Sequence, residues 1–256
     1  MSRIILVASI LLLTLGGTAH AGEGIAETAA AATPAERARR LVNELRAELR
    51  PVEEQIRNHP YMRALERKEV SLENLKAFAG EQYHIINKDL RSGAQMVSRF
   101  GTDPAARHFF QDIVNGEVIA LGFIIDFGEA LGMTEEDLRR YQPRALAQAY
   151  PSFVTAFTLH GSEAEVVASF LVNFPVFGEL TGRMGAALRN QYGFTAEDTA
   201  FFDFFGGLPP NFEPDAMAVI ESGLARGADP FEIKRSARLL QAYELFFWDA
   251  VSKGPR

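Results

Sequence analysis

Between Leu41 and Val251 the apolar residues recur every three to four positions, and no stretch alternates apolar with polar residues as a half-buried strand does. That pattern excludes a sheet as the organising layer and calls for helices that bury their stripes against one another. Leu41, Leu45, Leu49 and Val52 form the first stripe, which Pro51 is expected to bend. Ser71 fits an N-cap, and Leu75, Phe78, Ala79, Ile85, Ile86 and Met96 keep the next helix periodic as far as Phe100. Gly101-Thr102-Asp103-Pro104 stops that helix and starts another, running from about Ala105 to Leu131. Thr134, Ser162 and Thr195 each open a Thr/Ser-x-x-acid capping signature, and Asp229-Pro230 opens a last helix ending near Val251. The predicted fold is all-α, with about eight helices and one irregular piece, GGLPPNFEPD, at Gly206 to Asp215. Helices this long are expected to wrap a central cavity.

The N-terminus follows a different rule. Arg3, the apolar run Ile4 to Leu15 and the small residues Thr18-Ala19-His20-Ala21 read as a secretory signal with an A-x-A cleavage site before Gly22. The apolar run falls short of the ~20 residues a membrane span needs. The expectation is a secreted or periplasmic protein without a stable membrane anchor once the signal is removed. Residues 22–33 read as a small-residue linker and 34–253 as the all-α domain. The sequence contains no cysteine, so such a domain has neither a disulfide framework nor a thiol nucleophile. With 26 basic against 33 acidic residues and no basic run, nucleic acid is excluded as the expected partner.

Function is sought where polar residues share a face with an apolar stripe. Glu117 lies with Ile113, Val114, Ala120, Leu121 and Ile124; Gln82 lies with Leu75, Phe78, Ala79, Ile85 and Ile86. Asn173 has Phe170 and Phe177 at helical spacing, Glu179 falls between Val172, Val176 and Ala186, and Glu244 lies with Leu240, Phe247 and Trp248. Four have a purely structural explanation: an ion pair of Glu179 with Arg183, a tyrosine partner such as Tyr243 for Glu244, or a helix kink or buried neighbour satisfied by Gln82 or Asn173; Glu117 has no cation at helical spacing, which favours an inward role. Taken together, they predict a shared polar pocket between bundle helices. Burial would raise the pKa of Glu117 or Glu244 and suit either to acid/base catalysis. Glu81-Gln-Tyr-His84 has the E-x-x-H spacing of carboxylate di-iron bundles, which makes Glu81, His84, Glu117 and Glu179 a candidate metal set and iron the candidate metal. The motif occurs once, whereas such sites use it on two helices. No G-x-S-x-G, P-loop or strand-linked G-x-G-x-x-G is present.

Three segments carry a family resemblance. IRNHPYMRALERKEVSLENLKAFAGEQYHI at 56–85 resembles the opening of the TenA/PqqC family, with its His-Pro-aromatic step and Gln-Asp-Tyr-like segment. FLVNFPVFGEL at 170–180 resembles the family's middle segment, which carries a cysteine and ends in an acidic residue, and YELFFWDAV at 243–251 resembles its closing Glu-x-x-Phe-Trp-Asp. The resemblance implies a haem-oxygenase-like multi-helix bundle around a central pocket, and relatives that assemble as dimers or tetramers imply a homo-oligomer. It also implies that Asn173 stands at the cysteine position of the thiaminases, Gln82 at the aspartate position and Phe177 at an aromatic position, while Glu244 matches the closing glutamate. An amide cannot attack carbon as a thiolate does, so thiaminase chemistry is not expected. The cofactorless PqqC branch finds only His84 as a counterpart. The di-iron oxidase branch finds Glu81, Glu117 and Glu179 but no later histidine between Phe201 and Met217, where Asp203, Glu213 or Asp215 would have to substitute.

The leading expectation is an exported protein that binds a small polar heterocyclic or aromatic molecule. Gln82, Asn173 and Glu244 would hydrogen-bond it, and Tyr83, Phe177 and Trp248 would pack on its ring. The alternatives are a metal-dependent or cofactorless oxidase, and a protein whose inward polar groups only settle helix packing.

Overall fold

The computed structural model describes residues 32–253. The signal segment and residues 22–31 of the linker lie outside the described residues. Thr33, counted with the linker above, is instead the N-cap of the first helix: its hydroxyl accepts from the amide of Glu36, whose carboxylate accepts from the Thr33 amide in return.

The described chain is all-α, with no strand. Its helices are α1 (Pro34–Arg57), α2 (Pro60–Glu66), α3 (Leu72–Phe100), α4 (Pro104–Ala130), α5 (Glu135–Arg140), α6 (Ala149–His160), α7 (Glu163–Ala187), α8 (Ala200–Gly206), α9 (Phe212–Ala225) and α10 (Pro230–Ser252). The number exceeds the expected one because short helices sit in what reads as connection. The irregular piece is shorter than expected, since α9 begins at Phe212 within it. The Thr195 signature makes its reciprocal bonds with Asp198, yet a turn follows and α8 starts only at Ala200. Pro51 lies inside α1, which continues to Arg57.

Helix α7 is apolar on all sides, and its length and composition would suit a membrane span. Here it is the core helix: Val166, Val167, Ala168, Leu171, Val176, Leu180 and Met184 are all buried. α1, α2, α8, α9 and α10 pack around it, while α3 and α4 form a closely packed pair beside it. Small residues let α8 approach α7. A Cβ on Gly178 would meet the Phe205 carbonyl oxygen at 2.5 Å, and Gly206 lies against Gly182. The close approach that these glycines allow positions Phe205 against α7.

An aromatic cluster forms the floor of the bundle. Phe78 stacks on Phe202 at 5.6 Å and meets Phe247 edge-on at 5.9 Å, and Trp248 meets Phe247 edge-on at 5.2 Å. The His-Pro and Trp-Asp segments meet here. His59 caps α2 by accepting from the Tyr61 amide on Nδ1, which leaves Nε2 to donate to Asp249 at 3.2 Å, and the Tyr61 ring lies 6.1 Å from Trp248. Two of the three segments that carry the family resemblance thus act as a tie between α2 and α10.

Candidate functional site

An inner cavity of about 50 Å³ lies between α3, α4, α6, α7 and α10. Its polar lining is Gln82 and Asp89 from α3, Glu117 from α4, Tyr150 from α6, Asn173 from α7 and Glu244 from α10. Helical spacing explains the α3 contribution: Gln82, Ile85, Ile86 and Asp89 follow one another at i, i+3, i+4 and i+7 along one face. Phe170, Phe174, Phe177, Phe205 and Phe247 supply most of the apolar wall.

Neutral polar groups in the cavity hold one another. The Tyr150 hydroxyl donates to Asn173 Oδ1 at 3.3 Å, and Asn173 Nδ2 donates to Gln241 Oε1 at 3.2 Å. Glu244 accepts from the Trp248 indole N–H at 2.8 Å, one turn along α10. This indole, rather than a tyrosine, is the partner that makes burial of Glu244 tolerable.

The carboxyl groups lack cations. No Lys, Arg or His lines the cavity. Lys88, adjacent to Asp89 in sequence, directs its ammonium to Gln148 Oε1 at 2.9 Å, and Asp89 Oδ1 is sealed from solvent with no hydrogen-bond partner. Burial therefore pushes the Asp89 carboxyl up to about 8, against the pull of Lys88 and with added repulsion from Glu244. Burial likewise pushes Glu244 up to about 7 despite hydrogen bonds from Trp248 and Asn173, and it raises Glu117 well above the carboxylate range with repulsion from Asp89. The Tyr150 hydroxyl is raised by burial and then by these same acids. Groups poised this way can accept hydrogen bonds from a cation or exchange a proton near neutral pH.

Of the residues expected at the site, Gln82, Glu117, Asn173, Phe177 and Glu244 line the cavity. Two expected ring contacts do not. Trp248 is fully buried in the aromatic floor and stands behind the lining, bonded to Glu244 and packed on Phe177 and Phe247. Tyr83 turns to the opposite side of α3, toward Glu135 and Arg139, because adjacent helical residues point about 100° apart.

The candidate metal set is also dispersed. Glu81 is fully buried but committed elsewhere: it accepts from the Tyr141 hydroxyl at 3.2 Å, the Arg144 amide at 2.8 Å and Gln148 Nε2 at 3.0 Å. His84 faces Leu138 of α5 and Tyr141 just after it, and burial lowers its pKa. Glu179 is exposed and pairs with Arg57 at 2.8 Å, while Arg183, its expected partner, pairs with Glu66 at 2.8 Å. Among the described residues, the only group of three His, Asp or Glu side chains with ligand atoms within 4.8 Å of one another is His108, Asp112 and Asp215. That group is at the surface, where His108 sits 3.7 Å from each aspartate as an ordinary charge pairing. The donor set of the cavity therefore does not fit iron.

Sequence reading missed Asp89 and Tyr150. Asp89 carried a signal, its i+7 spacing from Gln82 along the same helix face. Tyr150 carried none, since it sits in the first turn of α6, whose N-cap Gln148 makes no side-chain cap bond.

A second cavity of about 190 Å³ adjoins the first and shares Ile113, Glu117, Phe174 and Phe205 with it. The segment Gly207 to Asn211 between α8 and α9 forms part of its wall.

The geometry agrees with the comparisons to known proteins. The family model described as TENA/THI-4/PQQC matches residues 46–204. A TenA homologue from Pseudomonas syringae superposes with a TM-score of 0.67 at 15% identity, covering 83% of this chain and 93% of its own. A TenA homologue from P. horikoshii gives 0.66 at 19% identity, covering 84% and 99%. A domain of unknown function with a heme oxygenase-like fold from Shewanella denitrificans gives 0.64 at 13% identity, covering 83% and 92%. Among curated proteins, no sequence matches.

Proposed function

The chain belongs to the TENA/THI-4/PQQC family, and from that premise we propose that it binds a small, flat, amine-bearing molecule, a protonated or amino-substituted heterocycle, with its amine end in the inner cavity. One observation carries the reading: Asp89, Glu117 and Glu244 face one cavity with no basic side chain in its lining. Buried carboxylates without a counter-ion are costly, and a cationic ligand would supply the missing charge. Gln82 and Asn173 offer amide acceptors and donors for ring nitrogens, and Phe177 and Phe205 offer ring faces and edges. Cleavage of a substrate C–N bond by a thiol nucleophile is not part of this reading, because the sequence has no cysteine and Asn173 occupies the expected position.

The position of Glu244 near neutrality favours a second reading, cofactorless acid/base or oxidase chemistry on the same ligand, with Glu244 exchanging the proton. Residues 1–21 support export, with the mature chain starting near Gly22; N-terminal sequencing of the secreted form tests that.

Calorimetry with aminopyrimidines and aminopyridines, against isosteric hydroxyl and carboxyl analogues, tests the ligand class. The amines are expected to bind, with affinity rising between about pH 5 and 8 as the carboxyls ionise and with protons released on binding. Glu117→Gln is expected to weaken them on the order of 10- to 100-fold, the range for a hydrogen bond to a charged group. Equal affinity for the carboxyl analogues would end the proposal. If Glu244→Gln abolishes product formation while amine affinity survives, the enzymatic reading is favoured.

A further inference from the structure

The inner cavity, at about 50 Å³, is far smaller than the ~300–1,000 Å³ of ordinary ligand pockets. At about 10–15 Å³ for each water, it has room for a headgroup and little more. The adjoining chamber, at about 190 Å³, is larger and differs in chemistry. Its walls are Phe109, Phe174, Phe204, Phe205, Leu208 and Phe212. The two spaces meet at Glu117, Ile113, Phe174 and Phe205.

Two features join them into one path. Phe170 of the inner wall stacks on Phe174 at 4.8 Å, and Phe174 stacks on Phe212 of the outer wall at 5.6 Å, so one aromatic column runs from the headgroup cavity into the chamber. Polarity also changes in one direction along it. The deep end holds carboxyls without cations, the middle is aromatic, and the acids at the outer lip already have partners. Asn211 donates to Asp215 at 2.6 Å, and His108 lies 3.7 Å from both Asp112 and Asp215. At the inner end Asp89 Oδ1 is sealed from water with no partner and is open to a positive head.

We infer that the ligand is an amphiphilic amine, whose ammonium or amino head sits among Asp89, Glu117 and Glu244 and whose alkyl or aryl tail fills the outer chamber beneath Gly207–Asn211. This rests on the amine-binding reading above and adds the tail, the direction of binding and the residues that hold the tail. Two glycines make the chamber testable. A Cβ on Gly116 would meet only Phe204, at 3.8 Å, and a Cβ on Gly207 would meet nothing within 4 Å, so side chains placed there enter free space.

The experiment is calorimetry on the mature chain with n-alkylammonium chlorides from methyl to octyl, alongside n-alkanols and n-alkanoates of equal length. Affinity for the amines is expected to rise about fourfold per methylene until the chamber is full and then to level off. Gly116→Leu is expected to flatten that slope, with Gly207→Val as the second variant if Gly116→Leu does not fold. Amines that bind with no dependence on chain length would overturn the tail while leaving amine recognition standing. Alkanols or alkanoates that bind as tightly as the amines would overturn amine recognition itself, and the present inference with it. An unchanged slope in whichever glycine variant folds would place the tail outside this chamber and overturn the assignment.

Discussion

Glu81 and Asp89 lie on the same helix about two turns apart, and both present carboxylate oxygens that water does not reach. Around Glu81 the chain supplies everything a buried carboxylate needs. Tyr141, Gln148 and the Arg144 amide donate to it, the Arg144 guanidinium stands 3.9 Å away, and that guanidinium also donates to the Ala250 carbonyl on α10. Even the backbone is adapted: a Cβ at residue 80 would strike the Tyr141 ring at 2.3 Å, so Gly80 is what lets the tyrosine lie against α3. Around Asp89 the chain supplies a cavity with two more acids and no cation in its lining, and the nearby Lys88 gives its ammonium to Gln148. A carboxylate answered from within the protein is an element of structure, whereas one left unanswered beside open space is set up to be answered by something that enters.

The largest effect is expected where that internal answer is removed. Arg144→Ala leaves Glu81 buried without its cation, and urea unfolding is expected to show a loss of about 3–5 kcal/mol. A loss below about 1 kcal/mol would mean that Glu81 is held by its neutral donors alone.

The Asp89 region is expected to appear in the pH dependence of stability. Its folded-state pKa of about 8, and that of Glu244 at about 7, lie above the ordinary values of 3.8 and 4.5. The folded chain therefore holds protons that the unfolded chain has released, so these groups stabilise the fold fully below about pH 4 and lose that contribution as pH rises toward 8. The slope is at most about 1.4 kcal/mol per pH unit for each group. Asp89→Asn with Glu244→Gln should flatten it, and a wild-type profile that rises between pH 5 and 8 would contradict the assignment. The smallest effect is reserved for Glu179. Glu179→Ala removes an exposed pair with Arg57 and is expected to cost about 0–1 kcal/mol in the same unfolding assay.

The helices and most of their ends were legible because they are local: caps at Thr134, Ser162 and Asp229, stripes at helical spacing, and glycine with positive φ at Gly132 are all written within a few residues. Gln82, Glu117, Asn173 and Glu244 were legible for a related reason, since a polar residue inside an apolar stripe must face something polar. Glu81 was singled out by its E-x-x-H spacing with His84, and in the fold it is satisfied by donors about sixty residues downstream, which no local pattern announces. Glu179 misled in the opposite sense: its flank of the stripe reaches the surface, where Arg57 of α1 waits for it.

By itself the sequence determined an all-α chain, the boundaries of its long helices, the absence of a thiol nucleophile and four of the polar residues that face inward, Gln82, Glu117, Asn173 and Glu244, because periodicity, capping and composition are properties of neighbouring residues. Only the tertiary structure decided which of those inward residues share a cavity, which are satisfied by distant donors, and that Asp89 and Tyr150 belong with them. Whether a buried charge is neutralised depends on side chains far apart in sequence meeting at hydrogen-bonding distance, and such meetings are fixed by how the helices pack.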